Sequence, residues 1–564
     1  MFTRAVVNFG EAIEKYSEIK SIHKMTNRVS KIVTLFIIIA FLSIVNINFA
    51  QKDNFKYSVS INPVSIPNLP GLHSFATAHH NGKWLIIGGR KDGSHARQPF
   101  RAFPGDENNT AIYVIDVKAK KFWSSSIKEL PISLKEQMQS GNMNYYQDGD
   151  ILYITGGYSY SASADDHITY PYLTSVSVPE LINSVIKGNP VSTHFKQIKD
   201  DIFAVTGGQM GKIGKTFYLI GGQRFDGRYN PMGHRTYKQT YTDGIRKFEI
   251  QNTKTKLSYS NLETITDQAH LHRRDFNLLP QIFPDGRYGY TVSSGVFQTN
   301  ADLPFFYPVD ITVSGYIPVT SFNQYLSNYH TAKVSLYDKK NKQMNTLFFG
   351  GISQYYFAGN DFVTDLNVPY VKTISRLSRF ADGSLREYVL PVEMPVFAGA
   401  NGEFIPYHNI PVYSNEIIDL NKIRGDSVFI GFIYGGIISS ELNPFSRNNF
   451  NSTYAGNIIY EVSLIKHNSV QGLAIDGSNP FSAEVFKEGT EFFTAELNIP
   501  YNGITELSVT DGSGKIVFQK TFKNLKKGKQ TVEIPDKKMS AADGYNFNFM
   551  FDYKFAYTEQ VLIR

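Results

Sequence analysis

Five times in this chain an apolar or aromatic run ends in a pair of glycines. The runs are Trp84–Gly89, Leu152–Gly157, Phe217–Gly222, Leu347–Gly351 and Phe432–Gly436, with the pairs at Gly88/Gly89, Gly156/Gly157, Gly221/Gly222, Gly350/Gly351 and Gly435/Gly436. A degenerate copy, Tyr288–Gly295, carries Ser294 in place of the first glycine. Glycine at a strand end marks a bend or a place where another backbone comes too close for a Cβ. Tight-turn dipeptides precede several of the runs: Asn81-Gly82, Asp148-Gly149 and Asp285-Gly286. These suit a two-residue hairpin that needs positive φ. After each pair comes a loop and then a further strand pattern, as in Ala111–Val117, Gly244–Ile250, Val371–Arg376 and Asn457–Ser463. A fourth closes the unit, as in Lys121–Trp123 or Leu257–Ser260. The composition agrees with many short strands: 35 Tyr, 42 Phe, 44 Gly and 24 Pro. With 42% apolar and 19% charged residues, wholesale disorder is excluded.

Four strands per unit, six times over, is the grammar of a β-propeller. The sequence resembles the kelch family, most completely in the first unit, where Gly88-Gly89 is followed by Tyr113, Asp116 and Trp123. The likeness covers roughly residues 54–470. The later units lack the Trp and are longer than the ~50 residues usual for kelch. The expected fold is all-β: a six-bladed kelch-like propeller over 51–470, a linker over 471–478 and a small C-terminal β-sandwich over 479–564. The glycine pairs are read as fold residues, since no helix follows them to cradle a phosphate. The sixth unit ends after its third strand near Lys466, and Lys56–Ile61 alternates like a strand. The expectation is that this early strand completes the last blade and closes the ring.

Ile32–Val45 is a short apolar run after Arg28 and Lys31, followed by Ala50 and Gln51. This is the pattern of a secretory signal over residues 1–50, cut between Ala50 and Gln51. It falls short of the ~20 residues a spanning helix needs, so no membrane span is expected after cleavage. Met25 would start a signal of more usual length.

Past Ser478, alternating segments recur at Thr494–Ile499, Ile504–Val509, Gln530–Ile534 and Gly544–Phe549. Such alternation implies sheets with one buried face. Asn479-Pro480, the Leu507–Val517 hairpin with Asp511, Gly514 and Lys515, Leu525 with Gly528, and Gly544-Tyr545 resemble the C-terminal sorting domain of the type IX secretion pathway of Bacteroidota. That resemblance implies export to the outside or to the outer cell surface, with the secretion machinery as a partner.

The net charge of +7 falls to 51 − 47 = +4 once the first 50 residues are set aside, too weak and dispersed for nucleic acid. Absent cysteine excludes disulfides, thiolate metal sites and a cysteine nucleophile. No nucleophile-elbow, zincin or P-loop motif occurs. His270-x-His272 and Asp165-Asp166-His167 are short of a metal-ligand pattern, and no metal or cofactor is expected. In a propeller the starts of the innermost strands meet the long loops at one mouth of the channel. The candidate ligand residues are therefore His73, Arg90, Gln209, Arg224, Arg274, Asp275, His330 and His408, with Arg97, Arg101, Arg228, Tyr229, His234 and Arg235 in the long loops. A polar, basic and aromatic mouth suits an anionic or sugar ligand. The functional expectation is a secreted or surface propeller that binds a glycan or protein through its loop face. Two alternatives stand beside it: a carbohydrate-active propeller enzyme such as a sialic acid mutarotase-like isomerase, with Arg274, Asp275 and Arg224 as candidates, and a structural adhesin.

Overall fold

The computed structural model describes residues 52–96, 102–230, 236–445, 450–488, 492–536, 539 and 544–562. The chain divides into two units, Met1–Asp53 and Asn54–Arg564, and the second is the subject below. The expected signal with Ala50 and Gln51 lies outside the described residues, as do Arg97, Arg101, His234 and Arg235.

The fold is all-β. Among the described residues two short α-helices interrupt it, α1 (Ile132–Met138) and α2 (Val178–Lys187), neither of them expected from the sequence. Six antiparallel sheets, each built on four strands, follow one another. Sheet I comprises Ala76–His80, Lys83–Ile87, Ala111–Asp116 and Lys121–Ser126. Sheet II comprises Gly141–Asp148, Ile151–Ser161, Tyr172–Ser177 and Phe195–Lys199. Sheet III comprises Gln209–Ile213, Thr216–Ile220, Gly244–Asn252 and Leu257–Thr266. Sheet IV comprises Asn277–Ile282, Tyr288–Ser293, Val309–Thr312 and Gly315–Pro318. Sheet V comprises Lys333–Asp338, Gln343–Ile352, Tyr370–Arg379 and Leu385–Glu393. Sheet VI takes Gly402–Pro406, Ser427–Gly435 and Ile459–Lys466 from late in the chain and Tyr57–Val64 from its beginning. Val59 faces Leu464 and Ile61 faces Val462 in that last pairing, so the edge of Ile459–Lys466 is covered.

The second strands of sheets I and III are apolar and buried after their first residue, because neighbouring sheets cover both faces. Gln343–Ile352 is buried at every position. Where sheets VI and I meet, Trp84 packs edge-on to Phe432 at 5.0 Å, and Ile86, Ile405 and Tyr434 share one core.

At five of the six junctions a glycine pair, or its Ser294-Gly295 equivalent, locks one sheet to the next. The second glycine donates its N–H to a carbonyl of the segment entering the following sheet: Gly89 to Ser140, Gly157 to Val205, Gly222 to Arg273, Gly295 to Asn328 and Gly436 to Leu72, at 2.8–3.2 Å. The first glycine lies so close to that segment that a Cβ on Gly156 would stand 1.7 Å from Val205 O. Ser294 holds the equivalent left-handed conformation at φ 56° and donates its hydroxyl to Phe305 O at 2.6 Å.

A second set of backbone bonds runs in a cycle. Asn142 N–H donates to Ser74 O, Gly207 to Asn142, Asp275 to Gly207, His330 to Asp275, Asn401 to His330, and Ser74 back to Asn401, at 2.6–3.3 Å. Each of these residues stands one to three positions before the first strand of its sheet, except Asn142, the second residue of its strand.

Beyond residue 478, Ser482–Glu488, Phe492–Ile499 and Gly528–Pro535 form one sheet; Ile516–Leu525, Gly503–Thr510, Tyr545–Phe551 and Phe555–Val561 form another. Phe481, Phe493, Leu497, Val509, Phe547 and Phe549 belong to the core they share. The expected linker is not a free tether. Leu473–Ile475 pairs with Val389–Glu387 as a further strand of sheet V, and Gly477 packs on Phe322. Its Leu-Ala-Ile is short, and a backbone edge, rather than sequence pattern, recruits it.

Candidate functional site

The first strands of all six sheets line one cavity of about 940 Å³. Its wall includes Thr77 and His79 from sheet I, Tyr145–Asp148 from II, Gln209–Ile213 from III, Leu278 and Pro280 from IV, Lys333–Ser335 from V and Glu403–Pro406 from VI. At its inner end Tyr145, Gln209 and Glu403 also line a small void of about 20 Å³. Ser74, Asn142, Gly207, Asp275, His330 and Asn401 bound that void, and these are the residues of the backbone hydrogen-bond cycle. The cavity is therefore pinched at the ends where the first strands begin. It widens toward their hairpin ends, marked by Gly149, Gly214 and Gly286.

A strap runs across the wide end. Residues 407–426 join the first two strands of sheet VI, where the other sheets use short turns. Glu416 Oε1 meets His79 Nε2 at 2.5 Å, Tyr146 donates to Asn415 Oδ1 at 2.7 Å, and Ile418–Asp419 pairs in parallel with Leu336–Tyr337. This strap corrects the placement of His408. The sequence alone places Tyr407-His408 just before or at the start of a first strand. The strand is Gly402–Pro406, so His408 follows its far end and is exposed beside Gly82. Asn401 and Glu403 occupy the positions assigned to it.

The inner end carries the titratable groups. Glu403 Oε1 lies 3.4 Å from His330 Nε2, and His330 Nδ1 pairs with Asn401 Oδ1 at 3.2 Å. With the Nδ1 proton given to Asn401, the Nε2 lone pair faces Glu403. Burial pushes the Glu403 carboxyl above its ordinary range, a rise that the Lys333 charge and the Tyr145 hydroxyl partly offset. Burial and the Lys333 charge drive His330 well below its ordinary value. Burial also lowers Lys333, opposed by Glu403. The Tyr145 phenol is raised well above its usual range by burial and by Glu403.

Of the predicted ligand residues, Gln209, Asp275 and His330 reach this end. His73, Arg90, Arg224 and Arg274 sit beyond the hydrogen-bond cycle, engaged by the chain itself. Arg90 is buried, with Nε and Nη2 on Asp92 at 2.9 and 2.6 Å and Nη1 on Asn108 at 2.8 Å. Buried His73 pairs with Ser74 and lies 3.5 Å from Asp92. Burial would raise Asp92, but hydrogen bonds from His73 and Arg90 and the guanidinium charge prevail and hold it at about 2. Arg274 donates to Tyr241 and to Asp275 and covers the Phe297 ring. Arg224 is exposed and pairs with Asp226, its neighbour in a hairpin, and with Asp201. That hairpin, Gln223–Asp226 with Lys238–Tyr241, structures part of a loop read as irregular. The pair His270 and His272 diverges: His270 bonds Tyr307 and Asn548, while His272 bonds Asp243.

Sequence reasoning missed Tyr145, Lys333 and Glu403. The available signal was a charge inside the first strand of a sheet, as in Ala332-Lys333-Val334, where both neighbours are apolar.

No family model matches the chain, and no curated protein matches it. Among solved structures, one titled "Structure of YjhT" aligns with 73% of this chain and 100% of its own, at 11% identity and a TM-score of 0.39.

Proposed function

We propose that the six sheets are the blades of a closed, kelch-like β-propeller, followed by a small C-terminal β-sandwich, and that the protein binds a small polyhydroxylated ligand, of sugar type, in its central cavity. The closed ring rests on the cycle of six backbone hydrogen bonds and on the N-terminal strand that completes sheet VI. One observation carries the ligand reading. At the inner end of the cavity, polar side chains converge that the chain itself leaves incompletely engaged. Among the described residues the Gln209 amide and Lys333 Nζ have no side-chain hydrogen bond, and Tyr145 and Glu403 face the same space. These groups are half-buried in the cavity wall, and hydroxyls of a ligand would engage them. Tyr146, Tyr290 and Phe404 add flat apolar surface for a sugar ring. The volume is within the ~300–1,000 Å³ of small-molecule sites. Arg90, Arg224 and Arg274 already hold carboxylates of this chain, which favours the cavity over the loop face. The export expectation stands with the same proposal: secretion through a signal sequence and a sorting domain of type IX kind, to the exterior or the outer surface.

A second reading, an enzyme acting on the same carbohydrate in the manner of a mutarotase-like isomerase, is favoured by the shifted acid–base groups Glu403, His330 and Lys333 in one pocket. The test is a glycan panel titrated calorimetrically against the wild type, Gln209→Ala and Glu403→Gln. Binding weakened about ten-fold or more in both variants, at unchanged melting temperature, is expected. No binding by the wild type, or equal affinity in all three, overturns the reading. Faster interconversion of anomers of the bound sugar by NMR separates enzyme from binder.

A further inference from the structure

Lys333 is a lysine at the head of an innermost strand, flanked by buried Ala332 and Val334, with its side chain in the cavity wall. Among the described residues its Nζ has neither a hydrogen bond nor an ion-pair contact, and Glu403, the acid that acts on it, stands beyond contact range. An ammonium in such a place would be expected to hold a carboxylate. Glu403 instead shares its oxygens with His330 and Tyr145.

We propose that Lys333 is a carbonyl-capturing amine, which takes a small aldehyde or ketone, such as an open-chain sugar, as an imine within the cavity. The step balances without a co-reactant. The Nζ lone pair forms a bond to the carbonyl carbon while the C=O π pair moves to oxygen. A proton passes from nitrogen to that oxygen, and a second proton to it lets the C–O bond break and water leave. The nitrogen's remaining proton returns to the acid that supplied the second. The products are a neutral imine, with the former carbonyl carbon doubly bonded to Nζ, and one water. Glu403 is placed to carry these protons, with Tyr145 and His330 around it. Burial keeps a fraction of the amine neutral below its ordinary range, which the attack requires.

The inference deepens the sugar-binding reading, and the experiment separates the two. The full chain is incubated near pH 7 with glycolaldehyde and sodium cyanoborohydride, which reduces an imine to a stable amine, and adducts are located by peptide mass mapping. Lys333 is expected to react several-fold faster than the surface lysines, since burial lowers its pKa and so raises its neutral fraction. Lys333→Met should lose that adduct alone. Should Lys333→Met fail to fold, the ratio within the wild type decides. A Lys333 that reacts no faster than surface lysines overturns the proposal. A methyl glycoside, which cannot open to a carbonyl, is added as competitor. If it binds the cavity while Lys333 stays unreactive, the imine fails and the sugar reading stands. If Lys333 reacts quickly and no glycan binds, the reverse holds.

Discussion

At the scale of a residue, the glycine pairs do two jobs that any side chain would spoil. Gly156 sits at φ 66°, and a Cβ there would collide with Val205 O of the next sheet. Gly149, in the hairpin turn of the same sheet, has a similar φ of 60° but open space around it. Comparing the two separates backbone strain from the collision. Gly149→Ala should cost about 1 kcal/mol, the left-handed penalty alone. Gly156→Ala should cost that and roughly 2 kcal/mol more, because a main-chain carbonyl cannot rotate away as a side chain can. Urea unfolding of the two variants reads the difference. Equal losses would mean that the sheets can part at Gly156, and the lock would lose its physical basis.

At the scale of the element, the strands of a repeated unit were legible because their signals are local: an apolar run, a turn dipeptide, a glycine pair. The early strand at 56–61 was legible for a different reason, since the last sheet lacked one partner and only one unassigned strand pattern was available. What escaped was set by tertiary neighbours. Helix α2 is inserted between the third and fourth strands of sheet II, and its Leu181, Ile182 and Val185 join the core with Val114 and Ile154. The strap at 407–426 reads as a loop with no signal of what it covers, and so His408 was misplaced and Glu403 overlooked. The strap also makes a pH-dependent latch. Burial lowers His79, but the hydrogen bond and charge of Glu416 outweigh it, so the His79 pKa is raised. A raised histidine contributes its interaction fully below its ordinary value near 6.5 and loses it as pH climbs through the raised value. Amide exchange over 412–416, corrected for intrinsic rates, should therefore be slow at about pH 6 and faster at about pH 8.5. Glu416→Gln should show the fast behaviour at both, while Ile418 and Asp419, paired to sheet V, stay protected. Wild-type exchange that does not change between the two pH values would remove the latch.

At the scale of the whole molecule, the C-terminal module raises the question of what depends on what. Its own core is complete, and the six sheets have theirs. Yet the two are joined by more than a chain. Asn479 donates to Thr320 O and Ala556 O, Gln298 donates to Tyr553 O, His270 Nε2 meets Asn548 and Thr558 at 3.0 Å, and Ala556 belongs to the core of sheet IV. Inter-domain surfaces of this mixed kind stabilise both sides without being required by either. A chain ending at Ser478 keeps Leu473–Ile475 in sheet V and every residue of the cavity wall. It should fold, bind the cavity ligand with unchanged affinity, and melt lower by on the order of 5–10 °C, as loss of a few kcal/mol does in a protein of this size. A chain ending at His467 also strips the added strand from Leu385–Glu393 and exposes that edge, so it should aggregate where the longer one stays soluble. Calorimetric melting and sedimentation of the two truncations give the answer. If the chain ending at Ser478 is itself insoluble, the module is part of the fold of the six sheets rather than a body docked upon them.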